Sequence, residues 1–382
     1  MPNFDPEALR AAAESARRKS EMGSNATDQL APQGSIVIAP DSPAGATVDL
    51  TTTYMGLRLR NPVVASAGPL SQTLDGIREL DDGGVGAIVM YSLFEEQIRY
   101  EDARQTAIEE QGSDSFAEAL SYFPTTPSNE SGLTRTYLSL IEKAAPTVSV
   151  PLIASLNGST TGDWTNTARR MQDAGASAIE LNVYYVAGDL HTPAREVEER
   201  HLDILAAVKQ VVSVPVAMKL SPYFSSFGEM AGRLDAAGAD AFVLFNRYLQ
   251  PDIDLDRMAV VPGFGLSGSD EAKLPRSWIA ALYGRVGASL AATTGVETVE
   301  DVLKYLLAGA DVVMTTASLV RHGPGHAGQL VDGVTSWLTR KGLTLDKARG
   351  MLAVPSDVDG GLYARSGYVS GLERAKKVYG RN

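Results

Sequence analysis

Short apolar runs that alternate with helical patterns organise the chain from about residue 50 onward. Each run ends in polar or glycine-rich residues, and the runs are continuously apolar, as is typical of parallel strands covered by helices. The eight runs occupy residues 61–69, 87–93, 151–158, 178–185, 215–222, 241–248, 289–296 and 312–319. Eight such units predict an α/β fold, a (β/α)8 TIM barrel, with a doubly wound open sheet as the alternative.

A repeated glycine signal supports this count. The segments DDGGVGA (81–87), QDAGASA (172–178), DAAGADA (235–241) and LAGADVV (307–313) lead into the second, fourth, sixth and eighth runs. Each puts a glycine where a helix ends and the chain needs a left-handed residue, followed by small residues that enter the strand. The pattern indicates two βα units repeated four times.

The periodic part of the chain is flanked by two segments of different character. Residues 1–48 are polar and rich in Gly, Pro and Ser after a short Ala-rich stretch, and we expect a mobile extension, with a docking arm as the alternative. Residues 49–341 are predicted to form the barrel, with a longer insertion at about 94–146. Residues 342–382 are expected to be a helical tail packed on the barrel.

Composition excludes several classes of protein. The 382 residues include 34 Lys and Arg against 46 Asp and Glu, a net charge of −12, and no basic run suggests nucleic acid as a partner. There is no Cys, and the four His form no metal-binding motif, so no metal is predicted. No apolar stretch predicts stable membrane insertion, and no signal peptide is recognisable, so we expect a cytoplasmic protein.

The residues at the ends of the runs are unusually polar, and Lys219 is the most informative of them. A lysine inside an apolar strand is costly unless it faces an anion or a partner. A structural ion pair is the alternative to a ligand-binding role, and Glu180, two residues before the polar end of its own run, is the one carboxylate that ends near the site.

The last two runs indicate a phosphate site. Thr294 and Gly295 end the seventh run, Thr316, Ala317 and Ser318 end the eighth, and a helix begins near Glu297. Small residues and a helix start at this position of a barrel commonly bind phosphate, although ordinary packing produces the same pattern. With Lys219 and two strand-end asparagines, the pattern favours a phosphorylated ligand.

At this point the motifs resemble the dihydroorotate dehydrogenase family over roughly residues 48–341. The motifs are NPVVASAGP, ELN on the fourth run, KLSPYF on the fifth, an asparagine on the sixth, and TTGVETVEDVLKYLLAGADVV followed by TASLVRHGP. The resemblance implies a TIM barrel that binds FMN. It places Ala67 and Gly68 near the flavin ring, Lys219 beside its N1 edge, Asn182 and Asn246 between flavin and substrate, and Thr294, Gly295, Thr316, Ala317 and Ser318 at the phosphate. Ser92 and Asn157, at the ends of the second and third runs, complete the predicted cofactor contacts.

The sequence departs from the family where the substrate would react. The family's base is a Cys or Ser in N-x-x-[C/S]-P-N, and the corresponding stretch here runs from Asn182 to Ala187 as NVYYVA, with Tyr185 at the base position. The Pro-Asn pair is replaced by Val186 and Ala187. Tyr91 stands where the family has a lysine. The resemblance therefore covers the flavin half of the site better than the dihydroorotate half.

A tyrosine at the base position favours proton donation over proton abstraction. With a pKa of about 10, a phenol costs roughly 4 kcal/mol to ionise at pH 7. We therefore expect Tyr185 to serve as an acid in the reductive direction, with Tyr184 and Lys219 as the other catalytic candidates. The alternative is that both tyrosines are aromatic packing above the flavin. His191, in the loop after the fourth run, is a further candidate base.

Three hypotheses about function follow. The first is an FMN-dependent oxidoreductase that acts on dihydroorotate or a related small substrate, in pyrimidine biosynthesis if dihydroorotate is the substrate. The second is a flavin-binding homologue without turnover, which serves as a partner or regulatory protein. The third is a flavin-free aldolase or isomerase that uses Lys219 as a Schiff-base residue. A soluble electron acceptor, an electron-transfer partner and a homodimer are the expected associations.

Overall fold

The computed structural model describes residues 48–96, 132–158, 164–185, 188, 190–248, 250–261, 263 and 265–380. These residues belong to two compact units, one spanning Asp41–Ala353 and the other including Val354–Asn382. The predicted Ala-rich helix and extension, at residues 1–47, and most of the insertion at 94–146 lie outside the described residues. The barrel lies wholly within the first unit.

Eight parallel strands form a closed barrel, which confirms the predicted fold. A hairpin of β1 (Thr52–Tyr54) and β2 (Leu57–Leu59) precedes it, and the first six barrel strands are β3 (Val63–Ala65), β4 (Ala87–Phe94), β5 (Leu152–Gly158), β6 (Ala178–Val183), β7 (Val216–Leu220) and β8 (Ala241–Leu244). After a second hairpin, β9 (Asp252–Asp254) and β10 (Ala259–Val261), the last two strands are β11 (Ser289–Ala292) and β12 (Val312–Thr315). The barrel order is β3-β4-β5-β6-β7-β8-β11-β12, and β12 pairs with β3. Each predicted run overlaps one of these strands, and β4 alone among the eight extends past its run, by one residue.

Helices follow the strands, as the periodicity predicts. Within the first unit they are α1 (Leu74–Asp82), α2 (Gly132–Ala144), α3 (Trp164–Asp173), α4 (Ala194–Lys209), α5 (Phe227–Ala236), α6 (Lys273–Leu282), α7 (Val299–Ala308), α8 (Ala317–His322), α9 (His326–Lys341) and α10 (Leu345–Ala348). The four glycines of the repeated signal, Gly84, Gly175, Gly238 and Gly309, all have positive φ. Left-handed residues therefore end four helices where the sequence predicts them.

Strand residues divide into two apolar clusters because successive side chains of a strand point to opposite faces. The larger cluster includes Ile179, Leu181 and Val183 of β6 and packs with the helices outside the barrel. The smaller cluster includes Ala178 of the same strand and fills the barrel interior. Tyr54, Met55 and Leu59 of the β1–β2 hairpin belong to the smaller cluster, so this hairpin closes the N-terminal end of the barrel.

The second hairpin was not predicted from the sequence. β9 and β10 pair antiparallel in the connection between β8 and α6, and their apolar side chains Ile253 and Val260 are exposed. The glycine-rich stretch that follows leads to the barrel mouth, where Gly265, Leu266 and Ser267 line a cavity. The connection between β8 and α6 therefore supplies part of the cavity lining.

The C-terminal residues divide between the two units. Backbone N–H groups of Gly350 and Leu352 donate to the carbonyl oxygens of Leu306 and Leu307, which fixes residues up to Ala353 against α7. In the second unit, α11 (Gly360–Tyr379) has no buried residue. The packing of residues 342–382 on the barrel as one tail stays a prediction. Across the described ranges, no helix is both long and apolar enough to cross a membrane.

Candidate active site

The polar residues at the C-terminal ends of β5, β6 and β7 form one layer in the barrel interior. Parallel pairing sets Ser155 beside Glu180, Asn157 beside Asn182, and Asn182 beside Lys219. These positions alternate with the outward-facing apolar residues of the same strands, so their side chains point inward. The predicted site residues on these three strands therefore share one surface.

Lys219 lies next to a buried carboxylate. Its Nζ is 3.7 Å from Oε1 of Glu180, and the two side chains are 11% and 1% exposed. Ser155 Oγ donates to the same Oε1 at 3.3 Å and lies 2.9 Å from Ser92 Oγ. The ion pair that the sequence left open as the alternative for Lys219 is thus present, and the lysine still lines the cavity at the barrel mouth.

Asn182 and Asn246 come from strands that are not neighbours, yet their side chains meet. Nδ2 of Asn246 donates to Oδ1 of Asn182 at 2.7 Å and approaches the carbonyl oxygen of Lys219 at 3.4 Å. Both side chains are buried. The hydrogen bond fixes the two amides above Lys219, where each keeps polar atoms for a ligand.

A cavity of about 210 Å³ collects most of the predicted flavin contacts. Its lining includes Ala67, Lys219, Asn246, Thr294, Gly295, Thr316 and Ala317. The segment Gly265–Ser267 covers one side, where Gly295 N donates to Ser267 Oγ at 3.2 Å. The structure therefore brings together residues from both ends of the sequence that the motifs predicted to share a ligand.

The two predicted phosphate turns differ in geometry. Thr294 and Gly295 have φ values of 76° and 72°, and a Cβ on Gly295 would lie 2.6 Å from the nitrogen of Ala272, so only glycine fits there. At the other turn, Thr316 Oγ1 donates to the carbonyl oxygen of Ser66 at 2.5 Å. The fully buried Ser318 is held by Thr315, with 2.9 Å between the two hydroxyl oxygens.

The helix start near Glu297 is already occupied by a carboxylate of this chain. Oδ2 of Asp301 accepts hydrogen bonds from the backbone N–H groups of Glu297 and Thr298 at 3.2 and 3.0 Å. Burial alone would raise the pKa of Asp301, but hydrogen bonds from Ser269 and Thr298 outweigh it and hold the pKa below its usual value. A bound phosphate would therefore contact the two turns rather than the start of α7.

A second cavity, of about 510 Å³, adjoins the first. Its described lining residues are Ala67, Gly68, Pro69, Gln72, Tyr91, Ser92, Phe94 and Leu133, and Ala67 lines both cavities. The Tyr91 ring packs edge-on against Tyr137 at 4.9 Å, and burial raises the pKa of Tyr91. Where the family resemblance implies a lysine, this chain presents a neutral phenol.

Tyr185 faces the helix layer. The guanidinium of Arg200, on α4, lies 4.4 Å from the centroid of the Tyr185 ring. Val183, two residues earlier, is the last residue of β6, so Tyr185 lies in the connection between β6 and α4. Among the described residues, the linings of the two cavities include neither Tyr184 nor Tyr185. Their catalytic roles stay predictions.

Two further polar residues near the site are Arg247, after β8, and His191, in the connection after β6. Arg247 lines the smaller cavity, but its Nε donates to Glu271 Oε2 at 2.7 Å and its Nη1 donates to the carbonyl oxygen of Gly265. His191 is exposed, and its role as a base stays a prediction. Within the described ranges, no group of three or more His, Cys, Asp or Glu residues is placed to hold a metal ion.

The fold and site define a parallel eight-stranded barrel with an ammonium, two amides and two small-residue turns around a cavity at its C-terminal mouth. Comparison with known proteins shows to which family of barrel proteins the chain belongs. The family model described as dihydroorotate dehydrogenase matches residues 49–338, and the chain therefore belongs to that family.

Two relatives carry the name dihydroorotate dehydrogenase B (NAD(+)), catalytic subunit. The protein from Methanothermobacter thermautotrophicus is 27% identical over 302 residues, which cover 77% of this chain and 95% of the relative. The protein from Thermoplasma acidophilum is 28% identical over 294 residues, which cover 72% and 89%. These identities support the family and leave room for a different substrate.

Sequence reasoning missed two parts of the site. The first is the Gly265–Ser267 segment, for which the glycines of PGFGLSG were the available signal. The second is the link from Glu180 through Ser155 to Ser92, which depends on the register of three strands. In the sequence, Glu180 stands two residues before the polar end of its strand. It nevertheless reaches the site, because the long side chain of Lys219 extends back toward it.

Proposed function

We propose that this chain is an FMN-dependent oxidoreductase that acts on a CH-CH or C=C bond of a small, planar, carbonyl-conjugated substrate. Dihydroorotate and orotate, and with them pyrimidine biosynthesis, are the first pair to test. The observation that carries the proposal is the cavity in which Lys219, Asn246 and the Thr294–Gly295 turn come together with Thr316 and Ala317. Proteins of the dihydroorotate dehydrogenase family generally bind FMN, which when bound accepts or gives a hydride.

The residues of the cavity fit FMN by their donor chemistry. Lys219 offers a cation, and Asn246 an amide, to the polar edge of a flavin ring. The two turns offer small residues, which let a phosphate approach the backbone closely. Ala67 lies where both cavities meet, so a ring beside it would reach from the phosphate turns toward Tyr91.

Proton transfer is the part of the reaction for which the chain departs from its family. We infer that Tyr185 gives the proton in the reductive direction, because a neutral phenol is a competent acid and a poor base at pH 7. Tyr185→Phe is expected to slow substrate reduction at least tenfold and to leave FMN binding unchanged.

A second candidate is a flavin-binding homologue that does not turn over dihydroorotate and acts as a partner or regulatory protein. The observation in its favour is the Tyr185–Arg200 contact, which directs this ring toward α4. The relatives are named as catalytic subunits, and an electron-transfer partner or a homodimer stays a prediction for this chain.

The purified protein provides the test. A yellow protein that releases its chromophore on denaturation supports FMN binding, and a colourless protein that does not take up FMN contradicts it. Anaerobic mixing of the yellow protein with dihydroorotate is expected to bleach the flavin absorbance if dihydroorotate is the substrate. Unbleached flavin would assign another substrate or the partner role.

Matched variants test the acid. Tyr184→Phe removes a neighbouring phenol and is the control for Tyr185→Phe. Equal rates of product formation in the reductive direction for the two variants would remove Tyr185 from the mechanism. The pH profile of the wild-type rate distinguishes an acid that must stay protonated from one that need not.

A further inference from the structure

We propose that Glu180 is the proton store of the candidate active site and exchanges its proton with the cavity beside Tyr91 through Ser155 and Ser92. The inference rests on the proposed function, because the charge to which Glu180 responds is that of a ligand bound beside Lys219. It adds a positioning residue and a proton path that the family resemblance does not contain.

The path follows from strand register. Ser92 of β4 is paired with Ser155 of β5, and Ser155 with Glu180 of β6, so three polar side chains stand in one row across neighbouring strands. Ser92 lines the larger cavity and Lys219 the smaller one. The steps are 2.9 Å between the serine hydroxyls, 3.3 Å to Glu180 Oε1 and 3.7 Å on to Lys219 Nζ. A polar row therefore connects the two cavities beneath the mouth of the barrel.

Tyr137 holds Ser155 in place within this row. Its hydroxyl accepts a hydrogen bond from the backbone N–H of Ser155 at 2.9 Å and lies 3.3 Å from the carbonyl oxygen of Ser155. The pairing register of β4 with β5 shifts between Val89 and Ser92, and Ser92 is the first residue after this shift that pairs with β5, at Ser155. Ser155 Oγ thus keeps a fixed position between Ser92 and Glu180.

Glu180 is buried, and one of its two carboxyl oxygens lacks a hydrogen-bond partner within the described part of the chain. Its exposed fraction is 1%, and the oxygen in question is Oε2. The ionisable groups that face it are Lys219 from β7, Tyr54 from β1 and Tyr137 from α2. Burial, together with the charge of Glu180, raises the pKa of both tyrosines, which therefore stay neutral. Lys219 is the one cation in this set.

The charge balance gives the direction of proton movement. With Glu180 ionised, the Glu180–Lys219 pair is neutral, and a negative charge arriving beside Lys219 repels the carboxylate. A hydride given to FMN, if FMN is bound beside Lys219, would bring such a charge. Glu180 then takes one proton from solvent by way of Ser92 and Ser155, which leaves Lys219 to balance the ligand. Reoxidation returns the proton along the same path.

The midpoint potential of the bound flavin against pH measures this proton. Uptake of one extra proton per two electrons steepens the dependence by about 30 mV per pH unit. We expect the wild type to show this extra slope across part of the range from pH 5 to pH 9 and Glu180→Gln to lack it. The same slope in both proteins throughout that range would overturn the proposal.

The serines are tested by rate, because a hydroxyl that relays a proton does not itself change the equilibrium. Ser155→Ala is expected to keep the wild-type slope and to slow the response of the mediator-poised flavin to a pH jump at least tenfold. Ser289→Ala, at the other end of the barrel, is the matched control and should respond as fast as the wild type. An unchanged rate in Ser155→Ala would remove the serine path.

A readout without flavin separates this inference from the proposed function. If the purified protein binds no FMN, the proposed function is wrong, and infrared spectra of the colourless protein still test Glu180. The wild type is expected to show a carboxyl C=O band that changes with pH and that Glu180→Gln lacks. Identical spectra would reject Glu180 as an ionising group. Should Glu180→Gln fail to fold, the response of the same band to Lys219→Met decides, and an unmoved band would reject the pair.

Discussion

The two ends of the barrel interior are built from the same strands and have opposite character. At the N-terminal end, Val64, Ala178 and Ala241 pack against Tyr54 and Leu59 of the β1–β2 hairpin in a cluster that is apolar apart from the Tyr54 hydroxyl, whose pKa is raised by burial and by the charge of Glu180. Two to four residues further along the strands, the inward positions become Ser155, Glu180, Asn182 and Lys219. The lower layer stabilises the fold by burial, and the upper layer gives up some of that stability to hold polar groups.

The difference shows how a barrel separates stability from chemistry. All eight barrel strands contribute to the lower layer, and β5, β6 and β7 also carry the polar residues of the upper layer, so these three strands do not belong to the site alone. Because the lower layer is closed by a hairpin of its own, changes there should affect folding more than ligand binding. Changes in the upper layer should affect both, since its polar groups need partners.

The largest expected loss of stability follows from a substitution in the hairpin that closes the lower layer. Tyr54 is 1% exposed, and Tyr54→Ala should reduce the free energy of unfolding by about 3–5 kcal/mol because it leaves a cavity in a packed interior. Chemical denaturation measures this loss, and the FMN affinity of the folded variant should match the wild type.

Tyr54→Phe is the control. Because it keeps the aromatic ring, it should reduce the free energy of unfolding far less than Tyr54→Ala. Weakened FMN binding in folded Tyr54→Ala would show that the two layers are coupled and that their separation is wrong.

In the upper layer, Lys219→Met is expected to reduce the free energy of unfolding by about 3 kcal/mol. This substitution leaves the Glu180 carboxylate buried without its cation, and breaking a buried ion pair on one side is strongly destabilising. Denaturation midpoints give the stability loss, and fluorescence titration should show weakened FMN binding as well.

The double variant Lys219→Met with Glu180→Gln separates the two effects. It should recover most of the stability because no unpaired charge remains, while FMN binding stays weak. Recovery of both properties would mean that Lys219 has no part in ligand binding.

The smallest expected effect lies outside the barrel interior, at His201 on α4. Burial lowers the pKa of His201, whose Nδ1–H donates to the carbonyl oxygen of Val197 at 2.7 Å. The unfolded chain therefore binds the proton more readily, and stability should fall as pH drops below about 6.5, by at most about 1.4 kcal/mol per pH unit. Thermal unfolding between pH 5 and pH 8 measures this slope.

His201→Leu should remove that part of the pH dependence, and His191→Gln, at an exposed position, should not. If both variants keep the wild-type slope below pH 6.5, the pH dependence of stability arises from a group other than His201.

The sequence predicts the fold well because its signals are local. Continuous apolar runs, and glycines such as Gly175 and Gly309 at helix ends, report on neighbouring residues, and the structure confirms both. The meeting of Lys219 and Asn246 in one cavity is predictable for a similar reason, because a closed barrel brings the C-terminal ends of its strands together. Residues that act through a contact with a distant element, such as Ser155 and Tyr137, leave no local signal.

The position of Tyr185 in the motif predicts its role, and that role stays a prediction. Aligned with the family's base, it is the natural catalytic candidate, yet its ring lies against Arg200 of α4. The direction of a side chain beyond the end of a strand depends on the helices that surround it, which a motif does not encode.

By itself, the sequence determined the eight strands and the helices between them, the strand ends that carry the polar residues, and the resemblance to one family. These follow from periodicity and residue chemistry, which act over a few positions. Only the tertiary structure decided that Glu180 is the carboxylate beside Lys219, that two serines join it to a second cavity, and that Asp301 already caps the helix at the phosphate turn. Each of these depends on register and reach across the barrel, where residues far apart in the chain come within hydrogen-bonding distance.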